Sequence, residues 1–156
     1  MDLPLHPLIA HSSVVLVPAA AILLIIGVLF RRARRRVAVV GVVAAVLGAV
    51  SAYFSMISGE SLAEVVGTPD DHARWGFYVV YSAGSLAVLG LIWLILASRQ
   101  PGSGRATLAR RADSTAVSVL GTLTVLAAIA ATTFMILIGH SGAEAVWSGV
   151  ELGSGL

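Results

Sequence analysis

Four long apolar runs, separated by short polar stretches, set the pattern of the chain. The first covers about residues 8–30 and is interrupted only by His11, two serines and Pro18; the others cover about 37–58, 75–97 and 114–138, for expected helices at about 8–30, 37–58, 70–97 and 114–140. At 1.5 Å of rise per residue each is long enough to cross a hydrocarbon layer of about 30 Å. Short connections make neighbouring helices antiparallel. The pattern therefore predicts an all-α membrane protein, a single transmembrane domain over residues 1–156, folded as a four-helix up-down bundle.

Composition agrees. With 58% apolar and 12% charged residues, the chain lies far from soluble domains, in which about 25% of residues are charged. All ten basic residues are arginine, and they segregate. Five fall between the first and second runs (Arg31, Arg32, Arg34, Arg35, Arg36) and four between the third and fourth (Arg99, Arg105, Arg110, Arg111). Among the acids only Asp113 shares that side; the other seven lie with Arg74 on the opposite one. The positive-inside rule makes the arginine-rich loops cytoplasmic and puts both termini outside, in a bacterial inner membrane. Met1-Asp2-Leu3-Pro4 carries no positive charge ahead of the first run, unlike a signal peptide, so this segment is expected to be retained as a helix.

Local signals refine the boundaries. Thr68-Pro69-Asp70-Asp71 reads as a cap, a first-turn proline and two acids at the positive end of the third helix, and Asp113 as the cap of the fourth. Tyr53, Phe54, Trp75, Phe77, Tyr78 and Trp147 are placed at the outer interface, Phe30 and Trp93 at the inner one. Pro18 is expected to kink the first helix. Gly41, Ala45, Gly48, Ala49 and Ala52, and likewise Thr124, Ala128 and Thr132, recur every three or four residues and form small-residue stripes suited to helix packing, within the bundle or in a homodimer.

A short repeat follows the second and fourth runs. Gly59-Glu60-Ser61-Leu62-Ala63-Glu64-Val65-Val66 and Gly139-His140-Ser141-Gly142-Ala143-Glu144-Ala145-Val146 share five of eight positions. Duplication of a helical hairpin, with a pseudo-two-fold axis along the membrane normal, accounts for it. It would equate His140 with Glu60.

The chemistry is confined to few side chains. The absence of cysteine excludes thiolate zinc, iron–sulfur and thioether-linked haem sites, and the absence of lysine excludes a Schiff base. His6, His11, His72 and His140, the only histidines, all fall at the outer end. With Glu64, Glu144 and Glu60 nearby they offer the nitrogen and oxygen donors that Zn, Cu or non-haem Fe accept, and two opposed imidazoles would suffice for haem b. As cofactor ligands the expected set is His11, His72 and His140, with His6, Glu64 and Glu144 in support. Histidines at a lipid–water boundary also serve as plain polar caps. Arg74 either pairs with Asp70 or Asp71 or holds a haem propionate or another anion. The arginine cluster 31–36 is explained by topology and anionic lipid, without nucleic acid. Gly139-His140-Ser141-Gly142-Ala143 lacks both the last glycine and the preceding strand of a nucleophile elbow, which excludes hydrolase chemistry of that type.

His6-Pro7-Leu8-Ile9-Ala10-His11 before the first helix, His72 at the third, and Gly139-His140-Ser141-Gly142-Ala143-Glu144-Ala145-Val146-Trp147 after the fourth resemble the bacterial transmembrane domain-of-unknown-function family 2231. The resemblance implies a four-helix bundle. Some relatives carry a Rieske-type domain after it, implying electron transfer near a quinone pool; this chain has no such cysteines, so a redox partner would be separate. Many relatives have a histidine where this chain has Ser148, and that position is not carried over as a ligand.

Three functions follow. The first is a non-enzymatic haem b or transition-metal protein of the membrane, active in electron transfer. The second is a structural or accessory subunit of a larger membrane complex. A small transporter is the third, disfavoured because the membrane interior contains no Asp, Glu, Arg or His to mark an ion path. Absorption spectroscopy and elemental analysis of the purified protein separate the first from the rest: a Soret band or a stoichiometric metal is expected, and neither would be found for an accessory subunit.

Overall fold

The computed structural model describes residues 5–30, 34–66, 70–99 and 107–147, with side chains for 9–30, 34–60, 74–99, 113–144 and Trp147. Four helices account for them: α1 Leu5–Leu29, α2 Arg34–Val66, α3 Asp70–Ser98 and α4 Thr107–Trp147. In hydrocarbon every backbone N–H and C=O must be bonded within its own segment, which leaves a long apolar run no alternative to helix. All four helices are long and apolar enough to cross a membrane. α1 runs on through Pro18 and closes with Phe30 N–H donating to the Ile26 carbonyl at 2.8 Å. α3 closes with a tighter turn, Arg99 N–H to the Leu96 carbonyl at 3.2 Å.

Two helices extend well past the expected bounds. α2 was expected to stop near residue 58 and α4 to cover 114–140; α2 in fact reaches Val66, and α4 starts at Thr107 and ends at Trp147. At 1.5 Å per residue they are about 50 Å and about 60 Å long, against a hydrocarbon thickness of about 30 Å. The polar ends continue the helix because nothing in 59–66 or 139–146 breaks it: the residues are mostly Ala, Glu, Val and Ser, and water can solvate the exposed groups. Asp113 consequently lies inside α4 and does not cap it. Thr68 and Pro69 lie outside the described residues.

The helices pack in a ring. α1 lies chiefly on α2 and α3 on α4, α2 also meets α3, α1 meets α4, and α1 barely touches α3 across the diagonal. Size, not polarity, decides which face turns inward. On α2 Ala38, Gly41, Ala45, Gly48 and Ala52 are buried, while Val39, Val43, Val46 and Val50 point outward to lipid. A β-carbon built on Gly41 would stand 3.1 Å from Leu23 Cβ and 3.2 Å from the Leu24 amide nitrogen, and one on Gly48 only 3.0 Å from Val17 Cγ2. The small-residue stripes expected from the sequence are thus consumed inside the bundle; Thr124 and Ala128 of α4 are also fully buried. Buried Ser13, Ser82 and Thr124 return their hydroxyls to carbonyls of their own helices, Ala10, Val79 and Leu120. α1 and α2 are further joined by Ser12 and Ser51, whose hydroxyls bond each other and the Ile9 carbonyl.

The repeat extends over the whole of α2 and α4. A shift of 80 residues carries Val37, Val39, Gly41, Phe54, Gly59, Ser61, Ala63, Glu64 and Val66 onto identical residues, Val117 to Val146. The packing follows the same shift. Gly41 receives Leu24 of α1, and its counterpart Gly121 receives Trp93 of α3, with the indole nitrogen 3.2 Å from a built β-carbon. Leu24 and Trp93 are both buried, as are Ser13 with Ser82 and Val17 with Leu86, each pair 69 residues apart. Two equivalent hairpins, α1–α2 and α3–α4, therefore make up the bundle. Trp93, expected at the interface, is instead a core residue, 1% exposed. Its place is the large-side-chain socket of the second hairpin.

Gly41→Val should destabilise the protein by about 1–3 kcal/mol, because the added methyls meet backbone as well as side chain. Gly84→Ala, with open space at its β-carbon, should be neutral or stabilising by up to about 1 kcal/mol. Reversible unfolding in mixed detergent measures both.

Candidate metal centre at the histidine-bearing end

Three of the four helices present a histidine near the end away from the arginine clusters. His6 and His11 lie on α1, His72 in the first turn of α3 and His140 in the extended part of α4. The side chains of His6, His72 and Glu64 lie outside the described residues, as do those of Asp70 and Asp71. His11, Glu60, His140 and Glu144 are described, and all four are exposed.

Register fixes their relative heights. In the second hairpin residue 93 meets 121 and residue 76 meets 138, so each step along α3 is matched by one step back along α4. His72 is then level with residue 142, between His140 and Glu144. In the first hairpin residues 27 and 38, and 17 and 48, are opposite, which sets His6 level with Gly59 and His11 level with Phe54. Carried over by the repeat, Phe54 corresponds to Phe134, six residues below His140, or about 9 Å. His6, His72 and His140 therefore occupy one level, and His11 lies about one and a half turns deeper.

The best-defined group is the pair on α4. His140 Nε2 and Glu144 Oε1 are 3.4 Å apart, one helical turn from each other, with side chains 71% and 68% exposed. The spacing is that of positions i and i+4 on one face. Across the repeat the pair becomes Glu60 and Glu64. Among the described residues no three His, Asp or Glu side chains come together in a way that could hold a metal ion. The expected set of His11, His72 and His140 falls outside that observation, because the His72 side chain is not among those described.

An aromatic cluster holds this end of α4 against α3. Phe134 stacks on Tyr78 at 5.2 Å and on Trp75 at 6.1 Å, and Trp75 meets Tyr78 at 5.8 Å. Arg74 lies over the Trp75 ring at 5.0 Å, a cation–π contact not foreseen from the sequence; the side chains of its expected partners Asp70 and Asp71 lie outside the described residues. The sequence signal for it was adjacency: an external arginine beside a tryptophan.

The chain belongs to the family described as Predicted membrane protein (DUF2231), which matches residues 2–151. The match takes in the opening His6-Pro7-Leu8-Ile9-Ala10-His11 and the closing Gly139 to Trp147. Comparison with curated proteins and with solved structures gives no match. Family membership brings the membrane fold and assigns no chemistry.

Phe134→Ala should loosen α4 from α3 just below His140. A loss of about 1–3 kcal/mol is expected, since the ring is half-buried and makes two stacked contacts. Unfolding in detergent measures it, with faster hydrogen exchange above residue 134 as the local signature.

Proposed function

We propose that the protein is a membrane-anchored binder of a transition-metal ion, held at the histidine-bearing end by His140 and Glu144 and completed by His72 and His6. The observation that carries this reading is the 3.4 Å between His140 Nε2 and Glu144 Oε1. Zinc binds imidazole nitrogen and carboxylate oxygen at about 2.0–2.2 Å. Two such bonds at a tetrahedral angle put the donors about 3.4 Å apart, so the pair already has the length of one edge of a zinc-type site. The levels of His72 and His6 supply the remaining corners from α3 and α1, as helical bundles do.

The filled core confines any cofactor, haem b as much as a bare ion, to the histidine-bearing end, and the His140–Glu144 pair is the reason for reading it as a bare ion. The described core is filled by Ala, Leu24, Leu86 and Trp93, and α1 and α2 approach within side-chain contact along their length. His11, lower and on a different level, belongs to the approach to the site or to its surroundings. Zn or Cu would suit this nitrogen and oxygen donor set, and Cu or non-haem Fe would extend its role to electron transfer with a separate partner or quinone. The arginine-rich end faces the cytoplasm in this reading, and the metal end the outside of a bacterial inner membrane.

Titrating the metal-free protein with Zn²⁺ or Cu²⁺ in detergent should give one site per chain. His140→Ala and Glu144→Gln should each weaken it at least about tenfold, the loss typical even of an outer-shell partner. Protons compete with the metal for the imidazoles, so affinity should fall as the pH is lowered. Equal binding by the parent and both variants would leave the accessory-subunit reading in its place.

A further inference from the structure

The opposite end of the molecule carries a second feature. A cleft of about 570 Å³ opens where the end of α1, the start of α2, the end of α3 and the early turns of α4 meet. That volume is in the range of small-ligand sites, about 300–1,000 Å³. Its floor is apolar: Val28, Ala97, Val117, Gly121 and Val125 line it beside Trp93. Its rim is polar and cationic, with Arg34 from α2 and Arg99 just past α3. Ser114, Ser118 and Thr122 descend one side of α4 at four-residue spacing, all three exposed. One acid, Asp113, also lines it.

Arg34 is held in place. Its guanidinium lies 5.5 Å from the Trp93 ring centre, a cation–π contact that turns the first residue of α2 toward the cleft. The start of α2 adds the positive end of a helix dipole at the same spot. The hydroxyls of Ser118 and Thr122 donate to the Ser114 and Ser118 carbonyls at 3.0 and 3.1 Å. Hydroxyls already bonded to backbone can line an apolar slot without leaving unsatisfied donors in lipid.

We infer that this cleft is a binding site for an anionic phospholipid of the adjacent leaflet, its phosphate between Arg34 and Arg99 and an acyl chain along Trp93, Gly121 and Val125. Charge and polarity are graded in the order that a lipid presents them: two arginines at the rim, hydroxyls below, hydrocarbon at the floor. Basic pockets between helices on the arginine-rich side recognise anionic head groups in this way. A zwitterionic lipid brings a cationic group against the same arginines and loses the preference. A free anion such as inorganic phosphate has no use for the apolar floor. The proposal is independent of the metal centre at the other end.

The full chain with Trp75→Phe and Trp147→Phe leaves Trp93 as its one tryptophan. Reconstituted in phosphatidylcholine bilayers, its fluorescence reports which lipid reaches the cleft when a small fraction of chain-brominated lipid is added. Brominated phosphatidylglycerol should quench Trp93 at a several-fold lower fraction than brominated phosphatidylcholine. Arg99→Gln, an exposed residue beyond the helix whose loss leaves the fold intact, should cut that preference about fivefold, and Arg34→Gln by a similar factor. Ser118→Phe fills the cleft with every charge retained and should abolish it. Equal quenching by the two lipids overturns the proposal. So does a preference that survives Ser118→Phe, which would mark diffuse attraction to the arginine loops, or one erased by inorganic phosphate, which would mark a free-anion site.

Discussion

Hydrocarbon gives two helices no reward for hiding apolar surface from it, so what joins them is the density of contact at the seam. The bundle meets this constraint with small residues where helices cross. Gly41 and Gly48 let α1 approach α2 to within side-chain contact of its backbone, and alanines line most of the remaining interior. The seam also sets the register, and through it the height of every polar group at the two ends. His6 is level with Gly59 because residue 17 sits opposite 48, and the histidine-bearing end takes its layout from that meshing.

Spans, alternating direction and the inward stripe of α2 could be read from the chain, because length and side-chain size are local properties. The helix ends could not. A run of apolar residues marks where lipid begins and ends, whereas the described parts of α2 and α4 run on through helix-forming residues to Val66 and Trp147. Trp93 misled for a related reason: a tryptophan near the end of a span suits an interface, and only the partner glycine on α4, 28 positions further along, makes it a core residue.

The histidines divide along the same line. That they gather at one end follows from topology, which charge along the chain reveals. Which of them share a level depends on the meshing of helix pairs, and His11 falls below the others for that reason. The cleft at the arginine end was invisible in the sequence because it is made by residues from four helices. Arg34 enters it through a ring 59 positions away, where the sequence shows only a block of like charges.

The hairpin repeat has a consequence for how the protein is made. Within each hairpin the large side chain and its glycine lie close in sequence, Leu24 with Gly41 and Trp93 with Gly121. Contacts between neighbours of this kind close short loops and are favoured to form early, whereas α1 against α4 joins positions far apart in the chain. That order makes the docking of two formed hairpins, α1 against α4 and α2 against α3, the expected last step of assembly. An error in that step would leave both seams intact and both hairpins helical, yet change which histidines share a level.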